Sequence, residues 1–138
     1  MKVQVEQIKV VEDDRGLVFE PLAEEAFKLQ RNAHVVISRP GVVRGNHYHR
    51  TGNEVIAVKG PSRVCFREGE TIHDMDVPDK VVFRFVIPPN VSHAIQNTGT
   101  EPGILMAFNT MAHDPNNPDT VEDVLIPVKP VSVVLDQK

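Results

Sequence analysis

Short apolar runs of strand length recur along most of the chain, broken by Pro, Gly, Asn and Asp, and this rhythm points to an antiparallel β fold. Ten strands are predicted, at Val3 to Val10, Leu17 to Glu20, His34 to Arg39, Val42 to Tyr48, Glu54 to Lys59, Ser62 to Arg67, Thr71 to Val77, Lys80 to Ile87, Ser92 to Asn97 and Gly103 to Thr110. Pro40-Gly41, Gly60-Pro61, Pro78-Asp79, Pro88-Pro89-Asn90 and Thr98-Gly99 fall between these runs, where turns need them. Alternation sets faces: Val81, Phe83, Phe85 and Ile87 share one side of their strand, and Arg84 lies on the other with Val82 and Val86. Pro21 to Gln30 reads as a short helix or an irregular crossing, and the Asp119-x-x-Glu122 spacing of a capping box predicts one helical turn. A sandwich or barrel follows, and 138 residues suit one domain.

Charge narrows the partners. A net charge of −4 with no cluster of Lys or Arg speaks against nucleic acid and against an anionic membrane surface, while a small anionic substrate needs only a few local arginines. No apolar run approaches the ~20 residues of a spanning helix. Met1 to Glu6 lacks an apolar signal core, so the expected address is the cytoplasm. Cys65 is the single cysteine, which excludes a disulfide within the chain and reads as a small strand residue.

Histidine usage is uneven: there are six His, one Tyr and no Trp, and the Tyr lies inside His47-Tyr48-His49. On an extended strand His47 and His49 point to one face. Glu54 opens the next strand after a Thr-Gly-Asn turn that can return its carboxylate beside the two imidazoles. His93, after Pro88-Pro89-Asn90, is a fourth candidate. Three neutral imidazoles and one carboxylate suit Zn, Fe, Mn or Ni and leave positions open for water or substrate. His34 and His73 read as structural, and His113, beside Asp114 in a polar loop, could cover a barrel mouth.

These residues resemble the cupin superfamily. Gly41, His47, His49 and Glu54 fit its first motif, with the step from Glu54 to Gly60 one residue short. Pro88, His93 and Asn97 fit its second, with Asn90 where Gly is usual. The resemblance implies an all-β cupin jelly-roll barrel, the double-stranded β-helix, with residues 1–138 as a single cupin domain. It also implies a metal held by His47, His49, Glu54 and His93. Cupins commonly dimerise, and the Val3 to Val10 strand is the expected exchanging element of a homodimer; the tail Pro127 to Lys138 is expected along the surface or against the partner.

A closer resemblance runs from His34 to Leu125. Pro40 to His49, Ile87 to His93 and Asp114 to Thr120 look like the C-terminal cupin of bacterial capsular-polysaccharide assembly proteins. That family joins a nucleotide-sugar reductase to a zinc cupin that epimerises a 4-keto UDP-sugar at C3. No Gly-x-Gly-x-x-Gly follows a strand here, so a reductase is not expected within this length. The resemblance implies one divalent metal, zinc first, with His47, Glu54 and His113 for proton transfer and Arg44, Arg63 and Arg84 for a substrate diphosphate. Arg39 and Arg67 are reserves.

Arg44-Gly45-Asn46-His47-Tyr48 is also similar to the Arg-Gly-Leu-His-Tyr of dTDP-4-keto-rhamnose 3,5-epimerases, and Asp14-Arg15-Gly16 to their entry segment. Those enzymes use a Tyr acid on another strand. Tyr48 points away from His47 and no second Tyr exists, which favours a metal-dependent reaction. A dioxygenase, a monosaccharide isomerase, and a non-catalytic metal- or sugar-binding cupin are the alternatives.

Overall fold

The computed structural model describes residues 2–128. Its strands are β1 Gln4–Ile8, β2 Val10–Asp13, β3 Gly16–Phe19, β4 Asn32–Ser38, β5 Val43–His49 and β6 Glu54–Lys59. There follow β7 Ser62–Glu68, β8 Thr71–Val77, β9 Val82–Ile87, β10 His93–Asn97, β11 Gly103–Asn109 and β12 Thr120–Glu122. One five-stranded sheet is ordered β1-β9-β6-β11-β4, a second β12-β5-β10-β7-β8, and β2 and β3 form a separate hairpin.

The two large sheets share a core. Ile56, Val58, Phe85, Ile87, Leu105 and Ala107 from the first pack with Val64, Phe66, Val77 and Ile95 from the second. Apart from Ala107, each such side chain taken fully from water contributes roughly 1.5–3 kcal/mol before ordering costs. Alternation and core therefore agree, and the jelly-roll barrel expected from the sequence is the fold observed. Toward one end of the barrel the inward positions become polar. Asn32, Asn109 and Glu54 lie side by side across β4, β11 and β6, while His47 and His93 are register partners on β5 and β10.

Local expectations are corrected in two places. The run Val3 to Val10 does not form one strand: β1 pairs with β9 of its own chain, and β2 turns away into the hairpin, where Asp13 accepts hydrogen bonds from Arg15. The helical turn at Asp119-x-x-Glu122 is absent, because residues Thr120–Glu122 pair with β5 as β12. The Asp119 carboxylate instead accepts hydrogen bonds from the Thr51 and Gly52 amides and the Thr51 hydroxyl, so it caps the β5–β6 turn. The crossing between β3 and β4 holds a 3-10 helix at Glu24–Leu29. Among the described residues no helix is long and apolar enough to cross a membrane. Of the expected tail, residues 129–138 lie outside the described residues.

Candidate metal centre

The site is built on an irregularity in β5. Arg44 and His47 are three residues apart, an odd separation that a regular strand sends to opposite faces. Between them Gly45 and Asn46 take left-handed conformations, with φ of +87° and +58°. Register against β10 slips there: His93 pairs with His47 and Ala94 with Gly45, leaving Asn46 as the extra residue of a β-bulge. The bulge resets the alternation, and Arg44, Gly45, His47 and His49 all border one cavity. Gly45 is required twice over. A Cβ there would lie 2.7 Å from the His93 carbonyl oxygen, and its φ is one that L side chains rarely adopt.

At the floor of that cavity His47, His49, Glu54 and His93 bring one donor atom each within 4.8 Å of one another. His93 is 1% exposed, and its Nδ1 donates to the Val91 carbonyl at 3.0 Å, which leaves Nε2 without a proton and aimed inward. His49 Nε2 lies 2.9 Å from Glu54 Oε2, and His93 Nε2 lies 3.1 Å from Oε1. Short as they are, these contacts are not aligned as hydrogen bonds, and both Nε2 atoms are buried without a hydrogen-bond partner. Buried polar atoms orphaned in this way are rare. Four lone-pair groups converging on one point, rather than on each other, fit a metal ion, and three imidazoles with a carboxylate fit a borderline divalent one.

Protonation agrees with that fit. Burial, then the nearby imidazoles, push His47 down to about 4, so it is neutral at pH 7. Burial alone would raise Glu54, but its contacts with His49 and His93 outweigh that and hold its carboxyl well below the usual carboxylate range. Burial alone would lower His49, but the Glu54 carboxylate, with Asp119 behind it, raises it above its ordinary value of 6.5. In the metal-free protein at pH 6.5, then, His49 is the cluster member whose raised pKa keeps it more than half protonated, and a metal must displace that proton. Calorimetric titration in buffers of different ionisation enthalpy should show net proton release, with apparent affinity weakening as the pH is lowered below 6.5. A proton count of zero there would contradict the assignment of His49 as a ligand.

The cavity above the cluster is about 230 Å³. Ile56, Ile95 and Leu105 form its apolar wall, Arg44 stands at its side, and the loop carrying Met111, His113 and Asp114 borders its mouth. Arg44 Nε donates to Ser38 Oγ at 3.0 Å, so the outer edge of the guanidinium remains available. Arg63 and Arg84 are not brought to this cavity. Arg63 lies on the outer face of β7, in an ion pair with Asp74, and Arg84 lies on the outer face of β9 near Glu6. Of the reserves, Arg67 pairs with Asp123 and Arg39 is exposed; neither borders the cavity. Tyr48 is outside it too, as alternation requires, and His73 stacks on Phe66 beside Glu68.

His34, expected to be structural, borders the cavity together with Asn32 and Val36. Alternation could have found it, since the three share one face of β4. Asn109 was also missed. It is a register partner of Glu54, and its amide lies 3.5 Å from Glu54 Oε2 while its Oδ1 accepts the Met111 amide at 2.8 Å.

Known proteins can be set beside this geometry. The family model described as the polysaccharide biosynthesis C-terminal domain matches residues 11–121. The chain is 26% identical over 129 residues to the spore coat polysaccharide biosynthesis protein SpsL of Bacillus subtilis, covering 85% of this chain and 84% of that protein. The crystal structure of the capsular polysaccharide assembling protein CapF of Staphylococcus aureus superposes with a TM-score of 0.62 at 29% identity. That match covers 84% of this chain but only 32% of CapF. The sugar 3,4-ketoisomerase QdtA of Thermoanaerobacterium thermosaccharolyticum, solved with TDP, shares the fold with a TM-score of 0.65 at 15% identity, over 88% of both chains.

Proposed function

This chain belongs to the polysaccharide biosynthesis C-terminal domain family, and from that membership we propose that it is a metal-dependent epimerase or isomerase of a nucleotide 4-ketosugar, acting in surface-polysaccharide biosynthesis. The observation that carries the proposal is the convergence of His47, His49, Glu54 and His93 at the floor of a cavity that also has an arginine in its wall. A divalent metal, which we take to be zinc, would be held by those four side chains and would supply Lewis-acid polarisation of a ketone.

The chain's own groups supply the rest. Ile56, Ile95 and Leu105 exclude water from the buried sugar face, which strengthens every electrostatic contact inside. Arg44, anchored through Nε, offers its outer nitrogens to a diphosphate as a bidentate fork. A proton next to a ketone leaves only toward a positioned base. With His47 and Glu54 committed as ligands, His113 on the mouth loop is the imidazole we assign to proton transfer, and His34 on β4 borders the same cavity. TDP in the QdtA structure and the polysaccharide roles of SpsL and CapF support the substrate class. We further propose the cytoplasm as the address and a homodimer as the assembly, for which β1 is an edge strand of its sheet among the described residues.

The test is solvent exchange. Metal-loaded protein in deuterium oxide should place deuterium at C3 of a 4-keto UDP- or dTDP-sugar, and Arg44→Ala should raise KM at least about tenfold with metal content unchanged. Arg63→Ala and Arg84→Ala should behave as the parent. Absence of exchange into any such sugar would leave a binding cupin, and oxygen uptake with iron bound would leave a dioxygenase.

A further inference from the structure

Two of the three cluster histidines sit directly after residues that hold the same distant segment. Asn46 precedes His47 and Ser92 precedes His93, and both point to the outer face of their sheet, where Asp123–Ile126 runs across them. Asn46 is buried, 8% exposed, and every polar atom of its side chain is used. Its Nδ2 donates to the Ile126 carbonyl at 2.9 Å, and its Oδ1 accepts the Leu125 and Ile126 amides at 2.9 and 3.0 Å. Its own carbonyl accepts the Asp123 amide at 2.8 Å. The Ser92 hydroxyl donates to the Asp123 carboxylate, and Arg67 pairs with the same carboxylate at 3.3 Å. Beneath this strap Ile126 is 3% exposed and packs on Cys65 and Ala94, the outward neighbours of the histidine row.

We infer that Asp123–Ile126 is a strap that positions His47 and His93 from behind, through Asn46 and Ser92. The inference rests on the metal reading of the cluster. The bulge that turns His47 inward needs Asn46 left-handed, a conformation Asn tolerates better than most residues but does not hold by itself. Four hydrogen bonds from the strap to one residue supply that constraint, and they act one bond away from a ligand. On the adjacent strand Ser92 fixes the entry to His93 in the same manner. Because one segment ties both, the cluster's geometry and the docking of the strap share a single equilibrium. Metal that prefers the ordered cluster must therefore tighten the strap, and loosening the strap must weaken the metal by the same factor.

Asn46→Gly and Ser92→Ala are the informative variants, since Gly keeps the left-handed backbone while removing the clamp. Zinc affinity, measured by competition with a chromophoric chelator, should fall about tenfold or more in each, the scale of outer-sphere losses in metal sites. Gly69→Ala, in the β7–β8 turn with open space around it, destabilises without touching the strap and should bind zinc as the parent does. In the parent, zinc should slow hydrogen exchange of the Leu125 and Ile126 amides. If both variants bind zinc like the parent while His93→Ala has lost it, the strap inference is overturned and the metal centre stands. If His93→Ala also binds like the parent, the metal reading itself fails and the inference with it.

Discussion

His93→Ala should reduce the metal content of the purified protein from about one ion per chain to background and weaken zinc affinity by at least about 100-fold, beyond the range usual for outer-sphere changes. The ring is fully buried, and its two nitrogens have separate tasks: Nδ1 is spent on the Val91 carbonyl and Nε2 faces the other ligands. Removing it deletes a ligand whose tautomer and direction are already set, which no water entering the gap can reproduce. The remaining carboxylate, pressed between two imidazoles in the parent, keeps only His49. A ligand that binds only the folded state stabilises it by about 4 kcal/mol at a thousand times its dissociation constant. Zinc should therefore raise the Tm of the parent and raise that of His93→Ala by no more than about a third as much. Metal analysis gives the stoichiometry, and His73→Ala, an imidazole outside the cavity, should retain the parent's metal. Equal metal in His93→Ala and the parent would remove the basis for the proposed reaction.

Parity explains most of what could be read ahead of the structure and most of what could not. His47, His49 and Glu54 are reachable from sequence because two histidines two residues apart share a face and a three-residue turn returns the chain beside them. Arg63 was open to the same logic: Val64 and Phe66 face the core, so Arg63 must face out, where it meets Asp74. Arg84, flanked by Phe83 and Phe85, is the same case. Arg44 is the reverse. Strict alternation rejects it as a companion of His47, and only the Gly45–Asn46 bulge brings both to one cavity. The bulge is invisible to periodicity, although Gly-Asn inside an apolar run is its chemical trace. The expected helical turn at Asp119 fails for a different reason. An Asp-x-x-Glu spacing describes a helix start only if the local amides are free to take the cap, and here the carboxylate is claimed by a turn about 70 residues earlier in the chain. The strap has no local signal at all, since its partners, Asn46 and Ser92, lie about 80 and 31 residues away.

Gly60→Ala should be the most damaging single methyl group in the chain, costing about 3 kcal/mol or more and lowering Tm by roughly 10 °C. Conformation is not the reason, because Gly60 is not left-handed. The reason is space. Gly60 follows the last residue of β6, its amide donates to the Val81 carbonyl at 2.9 Å, and it bridges to Asp79 across the turn between β8 and β9. A Cβ at this position would overlap the backbone carbonyls of Val77 and Pro78, which no rotamer change can move. The turn would have to shift as a unit, and it leads directly into Val82, fully buried against Ala57 and Ile8. Gly69→Ala provides the contrast: φ is +61° there but nothing lies within 4 Å of the added Cβ, so only the left-handed penalty of about 1–2 kcal/mol applies. Urea unfolding should separate the two through their midpoints at a common slope. A Gly60→Ala midpoint equal to or above that of Gly69→Ala would refute the packing account. Zinc stoichiometry should be unchanged in both, because Gly60 closes β6 at the end opposite Glu54, about 20 Å away at ~3.3 Å per residue. Two glycines of one motif thus have distinct duties along the barrel. Gly45 shapes the strand that carries the ligands, while Gly60, for all its place in the same sequence motif, holds the far end of the barrel closed.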